Sequence, residues 1–196
     1  MSLTSNDDVT EFISARKWST LKIFLLRNRS LVKLQRSYRT DPQSSYNLLH
    51  VVCENNPPLH IVKFIRRRHP QAVFEKDDNG HFPLHIACKS GCCPEVIKYL
   101  LDKNSEAAMK TDDKKRTPFL LAYKCYAHNC EKDWIPANQD LYEVASMLSA
   151  FDSSSFFLKD YEGNTALEFA VNGMLSPALV SLVKSLRGFE DTSEFE

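Results

Sequence analysis

The sequence predicts an all-α fold, a solenoid of stacked helix-turn-helix repeats joined by short turns or hairpins. Three observations lead there. First, residues 77–101 read as a polar turn followed by two short helices. Asp78-Asn79-Gly80 has turn chemistry, with Gly80 free to take positive φ. Pro83 suits a first helical position, and Leu84, Ala87 and Cys88 then share one helix face. Gly91 stops that helix and Pro94 restarts the second, with Val96, Ile97, Leu100 and Leu101 on its apolar side. Second, this unit recurs. Pro83 and Pro118 lie 118 − 83 = 35 apart, and Ala87 with Ala122 and Asp78 with Asp113 keep that offset. Thirty-five residues earlier, Leu49-His50, Cys53 and Ile61–Ile65 match Leu84-His85, Cys88 and Val96–Leu100. Third, a helix pair cannot bury its apolar faces alone, so tandem copies imply stacking.

A later copy follows at an offset of 48. Thr165-Ala166-Leu167 matches Thr117-Pro118-Phe119, and Glu143-Val144 matches Glu95-Val96 at the same spacing. Since 48 − 35 = 13, thirteen extra residues are expected between the helices of the third unit, within 126–139.

The runs His-Phe-Pro-Leu-His-Ile-Ala, Arg-Thr-Pro-Phe-Leu-Leu-Ala and Gly-Asn-Thr-Ala-Leu-Glu-Phe-Ala resemble the ankyrin-repeat motif Thr-Pro-Leu-His-x-Ala, which carries a Gly two residues before its Thr. That family repeats at about 33 residues. Here Phe82 replaces the Thr, Lys115 stands at a turn-Gly position, and Asn47-Leu48 replaces Thr-Pro. The resemblance implies an ankyrin-type solenoid. The expected divisions are 1–39 (frayed end and capping repeat), 40–76, 77–111, 112–159 with the insertion, 160–188, and an acidic tail at 189–196.

The first helix pair should span Val9 to Leu34. Ser19 is a candidate N-cap for its second helix, and Leu21, Ile23, Phe24 and Leu25 contribute to the apolar face. Trp18 is expected at the inter-helix turn. Asn47, Thr117 and Thr165 are candidate N-caps of later inner helices, whereas Phe82 has no side-chain acceptor and should leave its helix poorly capped by about 1 kcal/mol. Ser176-Pro177 reads as a cap and first turn of a final outer helix. His50 and His85 occupy the family's His position, which implies hydrogen bonding to the neighbouring turn. Arg66, Arg67, Arg68 and His69 end an outer helix, where cations complement the dipole; a nuclear-import or acidic-partner patch is the other reading.

The chain has 25 basic and 25 acidic residues, so no global field favours nucleic acid or an anionic membrane. No apolar run reaches the roughly 20 residues of a membrane span, and the N-terminus lacks an apolar signal core. A soluble intracellular protein, cytoplasmic or nuclear, is expected. It should need no cofactor and be a monomer rather than an obligate oligomer. Of the six cysteines, Cys53 and Cys88 sit at equivalent core-facing positions and read as buried thiols.

The functional expectation is a non-catalytic scaffold that binds an unidentified protein on its concave face. No phosphate loop, activated nucleophile or paired carboxylates point to an enzyme. The family resemblance places contacts at turn tips and inner-helix ends. These map to Asp78, Asn79, His81, Asp113, Lys114, Arg116, Tyr161, Glu162 and Asn164 in the turns. They map to Glu54, Asn55, Lys89, Ser90, Lys124, Cys125 and Asn172 on the helices. Trp134, beside Ile135 in a polar stretch, either folds back on the repeat or forms a partner anchor. The alternative reading is a thiol- or zinc-responsive protein built on Cys92, Cys93, Cys125, His128 and Cys130, although three close ligands do not make a closed zinc site.

Overall fold

Apolar residues at helical spacing, punctuated by left-handed stops, give pairs of short antiparallel helices. The computed structural model describes residues 6–29, 31, 46–130, 137–151, 154–165, 168, 181–182 and 185. Its α-helices are α1 (Asn6–Ser14), α2 (Trp18–Arg27), α3 (Leu48–Glu54), α4 (Leu59–Arg68), α5 (Pro83–Lys89), α6 (Pro94–Lys103), α7 (Pro118–Cys130) and α8 (Ala137–Phe151). Short 3-10 turns follow three outer helices, at Pro70–Phe74, Ser105–Ala108 and Ser154–Phe157. There is no strand among the described residues, and no described helix is long and apolar enough to cross a membrane.

The helices form two layers. Each odd-numbered helix packs on the even-numbered helix after it. Within the inner layer α3 packs on α5 and α5 on α7; within the outer layer α2 packs on α4, α4 on α6 and α6 on α8. The core is therefore a continuous strip. Leu48, Leu49, Ile61, Ile65, Ile97, Leu100 and Leu101 are fully buried in it, each side chain contributing about 1.5–3 kcal/mol. Phe119, also fully buried, stacks on Phe156 at 4.0 Å between centroids and carries the core past α8. Cys53 and Cys88 are buried in the strip, as expected of small apolar side chains at those positions.

The helix stops follow one rule. Arg16, Asn56 and Gly91 have φ of 52°, 50° and 63°, each two residues past the end of α1, α3 or α5. The N–H groups of Lys17 and Cys92 then reach back five residues, to the carbonyls of Phe12 and Ala87, and close the helix end. At the position equivalent to Asn56 and Gly91 the third unit has Tyr126 (91 + 35 = 126). Nothing there favours left-handed backbone, and α7 continues to Cys130. α7 thus has 13 residues against seven in α5, and α8 has 15 against ten in α6. The insertion expected as an inter-helix loop over 126–139 is in large part absorbed into longer helices.

Two expectations for the first helix pair are corrected. α2 starts at Trp18, so Ser19 is inside the helix; Lys17 stands at the cap position without a side-chain bond. Ile23 is 53% exposed and does not join the core, while Leu21, Phe24 and Leu25 do. Trp18 is half-buried against the core at the start of α2. Asn47 caps α3 by accepting from Leu49 and His50, and Thr117 caps α7 by accepting from Leu120 at 3.2 Å. Phe82 makes no side-chain cap. Thr165 and Glu168 exchange the two bonds of a capping box. Ser176-Pro177 lies outside the described residues.

Candidate partner-binding surface

A turn that protrudes from a helix stack must satisfy its own backbone. Here one buried carboxylate does this in each turn. Asp77 Oδ1 accepts from the N–H groups of Asn79 (2.9 Å) and His81 (2.7 Å). Asp112 Oδ1 accepts from Lys114 (2.9 Å) and Arg116 (2.8 Å). Asp160 Oδ1 accepts from Glu162 (2.9 Å) and Asn164 (3.1 Å). The backbone N–H of each Asp donates across its turn, to the carbonyl of His81, Arg116 or Asn164. These three aspartates keep the repeat offsets, 112 − 77 = 35 and 160 − 112 = 48, yet they are not the expected turn residues. Asp78 and Asp113, one position later, are the exposed tips.

The second carboxylate oxygens reach side chains. Asp77 Oδ2 lies 3.0 Å from His81 Nδ1. Asp112 Oδ2 takes Arg116 at 2.6 Å and His81 Nε2 at 3.1 Å. Asp160 Oδ2 takes Lys124 at 3.1 Å. Burial opposes ionisation of Asp77, but the side-chain and backbone hydrogen bonds from His81 outweigh it and hold the carboxyl down at about 2. Asp112 is held low, against burial, by Arg116 in the same way, and Asp160 by Lys124 and the turn amides.

His50 and His85 tie each inner helix to the next turn. Nδ1 of His50 accepts from the Asn47 N–H (3.3 Å), so Nε2–H donates to the His81 carbonyl (3.0 Å). His85 repeats this with the Phe82 N–H (3.3 Å) and the Lys110 carbonyl (3.0 Å). Desolvation pushes both down to about 4, and a proton on Nδ1 would face a backbone N–H. The family's histidine role is thus filled by neutral imidazoles.

Position by position, the left-handed site of the turns holds Gly80 (φ 74°), Lys115 (φ 57°) and Gly163 (φ 83°). A Cβ at Gly80 would also lie 2.5 Å from Asp113 Oδ1 and 3.1 Å from its backbone N, so a side chain there would have to displace the Asp113 carboxylate. At Lys115 the left-handed backbone carries one, at a cost of about 1 kcal/mol. Lys115→Gly should therefore raise unfolding free energy by up to about 1 kcal/mol, less what is lost with the Lys115–Tyr161 ring contact (5.3 Å). Urea denaturation checks this; a net loss would contradict it.

The turns are joined to one another. The Asp113 N–H donates to the Asn79 carbonyl (3.0 Å), and the Tyr161 N–H to the Lys114 carbonyl (3.3 Å). This brings Asp78, Asn79, Asp113, Lys114, Tyr161 and Glu162 into one exposed row. Glu54 and Lys89 are exposed last residues of α3 and α5; Asn55 and Ser90 follow them, half-buried. Other expected contact residues are placed differently. His81 is 3% exposed and locked between two carboxylates, so it is not offered to a partner. Arg116 and Asn164 are half-buried, Arg116 paired with Asp112. Lys124 and Cys125 lie within α7 rather than at a helix end; Lys124 is tied to Asp160 and Glu162. Trp134 and Asn172 lie outside the described residues.

Among the described residues no group of three or more His, Cys, Asp or Glu side chains is gathered for a metal. Cys53, Cys88, Cys92 and Cys93 are free thiols. Burial pushes Cys92 up to about 12 and raises Cys53, Cys88 and Cys93 as well, which leaves little of the thiolate that metal binding and redox chemistry need. The side chains of His128 and Cys130 lie outside the described residues.

No curated protein gives a significant match to this chain. The family model described as Ankyrin repeats (3 copies) matches residues 23–133, more than half of the sequence. With the helix pairs, the Asp-stapled turns and the histidine ties in place, the chain belongs to the ankyrin-repeat family.

Proposed function

We propose that this chain is a non-catalytic scaffold that binds a partner protein along the row of turn tips and the adjoining ends of α3 and α5. Ankyrin repeats are generally protein-interaction modules and typically non-catalytic. The observation that carries the finer reading is the bonding of one turn to the next through Asn79–Asp113 and Lys114–Tyr161. Exposed side chains on a backbone already fixed lose little entropy on binding. Asp78, Asp113 and Glu162 alternate with Lys89 and Lys114 there, which suits a partner of mixed charge. Tyr161, 69% exposed, is the large amphipathic side chain on the row.

The test is site-specific photocrosslinking in cells. A benzophenone amino acid placed at Asp78, Lys89 or Lys114 should give one shared protein adduct, and the same probe at Lys98 or Glu143 on the outer layer should not give it. An adduct confined to the outer positions would overturn the assignment.

A further inference from the structure

The outer layer carries a charge gradient that the turn row does not explain. α2 has Lys22 and Arg27 and no carboxylate; α4 has Lys63, Arg66, Arg67 and Arg68 and no carboxylate. α6 is balanced, with Glu95 and Asp102 against Lys98 and Lys103. α8 has Asp140 and Glu143 and no cation. Since α2, α4, α6 and α8 pack in that order, the layer runs from basic to acidic along the stack.

None of the six cations on α2 and α4 pairs with a carboxylate among the described residues. Two acids close by in the sequence are engaged elsewhere, Glu11 with Lys17 and Glu75 with His69 at the end of α4. Lys22 and Arg68 converge instead on one ring, at 5.8 and 3.7 Å from the Phe64 centroid. Lys63 and Arg67 stand one turn apart with no carboxylate between them, an arrangement that disfavours the helix. Arg66 Nε is buried without a hydrogen-bond partner. Beside these cations Ile23 and Leu26 are 53% and 42% exposed. Helix-dipole compensation accounts for cations in the last turn of α4. It does not account for Lys22 or Lys63, or for apolar side chains left in water.

We infer that the outer face of α2 and α4 is a second docking surface, for a short acidic protein segment with interleaved apolar side chains. Cations and exposed aliphatic groups together match such a segment, and phosphate alone would leave Ile23 and Leu26 unused. The patch is small, two ten-residue helices of about 15 Å each side by side. A polyanion running along the stack, or a flat anionic bilayer lying on this layer, would next meet Asp140 and Glu143. A short segment would not.

Fluorescence anisotropy with a labelled octapeptide of alternating Glu, Leu and Phe residues tests this on the full chain. The peptide should bind, and added salt should weaken it. Lys22→Gln with Arg67→Gln, both at exposed positions, should weaken binding at least about tenfold, whereas Lys98→Gln on α6 should leave it within about twofold. Lys89→Gln on the turn-row side should also leave it unchanged, which separates this surface from the one proposed above. Equal binding by the double variant and the parent would overturn the inference. So would tighter binding of duplex DNA or phosphatidylserine vesicles through the same side chains.

Discussion

Acidification from about pH 7.5 to about pH 4 lowers the unfolding free energy by several kilocalories per mole, before the aspartates titrate. His50 and His85 are held at about 4 in the fold against 6.5 in the unfolded chain. Between those values the unfolded chain binds more protons, so stability rises with pH there. The contribution is present in full above pH 6.5 and is lost as pH falls toward 4. Each tenfold difference in proton affinity between the two states is worth about 1.4 kcal/mol, so each imidazole accounts for about 3 kcal/mol. The structural reason is specific. A proton on Nδ1 would turn an acceptor into a second donor aimed at the N–H of Asn47 or Phe82. Asp77, held at about 2, adds a further loss between its unfolded value near 3.9 and about 2. Urea denaturation at a series of pH values should show a first decline beginning near 6.5. A flat profile from 7.5 to 4.5 would contradict the neutral, buried assignment of the two histidines.

Asp112→Ala should cost about 3–5 kcal/mol, the range for removing one partner of a buried charged network. Asp112 serves four donors at once, the N–H groups of Lys114 and Arg116 and the guanidinium Nε and terminal nitrogen of Arg116, and its carboxylate lies 3.1 Å from His81 Nε2. Without it His81 keeps Asp77 and the Arg116 guanidinium at 3.4 Å, and two backbone donors of the turn lose their acceptor. Asp112→Asn keeps an acceptor for the turn amides and removes the charge, so it should cost less than the alanine. Thermal and urea melts of the two variants check the order. An alanine variant within about 0.5 kcal/mol of the parent, the range of an ordinary surface change, would mean that the network does not hold the turn.

The architecture was legible because solenoid repeats declare themselves by register. Leu84, Ala87 and Cys88 have counterparts at fixed offsets, and stacked helices bury those faces on one another. The caps were legible for the same reason: Asn47, Thr117 and Thr165 have side-chain oxygens and Phe82 does not. The turn staples are harder to read. Asp77, Asp112 and Asp160 keep register as faithfully as the prolines, but adjacent Asp-Asp pairs at 77–78 and 112–113 hide which carboxylate faces inward. Only the third turn, with Tyr161 after Asp160, separates the two roles. His81 illustrates what sequence pattern leaves open. A polar residue in a turn reads as exposed, whereas its burial depends on a carboxylate from the next repeat, Asp112. The course of the insertion turned on one residue, Tyr126, where Asn56 and Gly91 stop the earlier helices. The spacing gave the insertion's length but carried no sign that the helices would lengthen to take it up. Ile23 fits the apolar spacing of α2 yet is exposed, because Leu21, Phe24 and Leu25 take up the side of α2 that packs on α1 and α4.

The turn tips are fixed in the free protein, and amide hydrogen exchange resolved to single residues tests this most directly. The amides of His81, Asp113, Arg116 and Tyr161 lie in or beside exposed turns, and each donates to a carboxylate or a carbonyl of the turn network. They should exchange orders of magnitude more slowly than the same residues in an unstructured peptide. Exchange at unstructured-peptide rates for these four, with α5 and α7 protected, would show that the turns are not built into the stack.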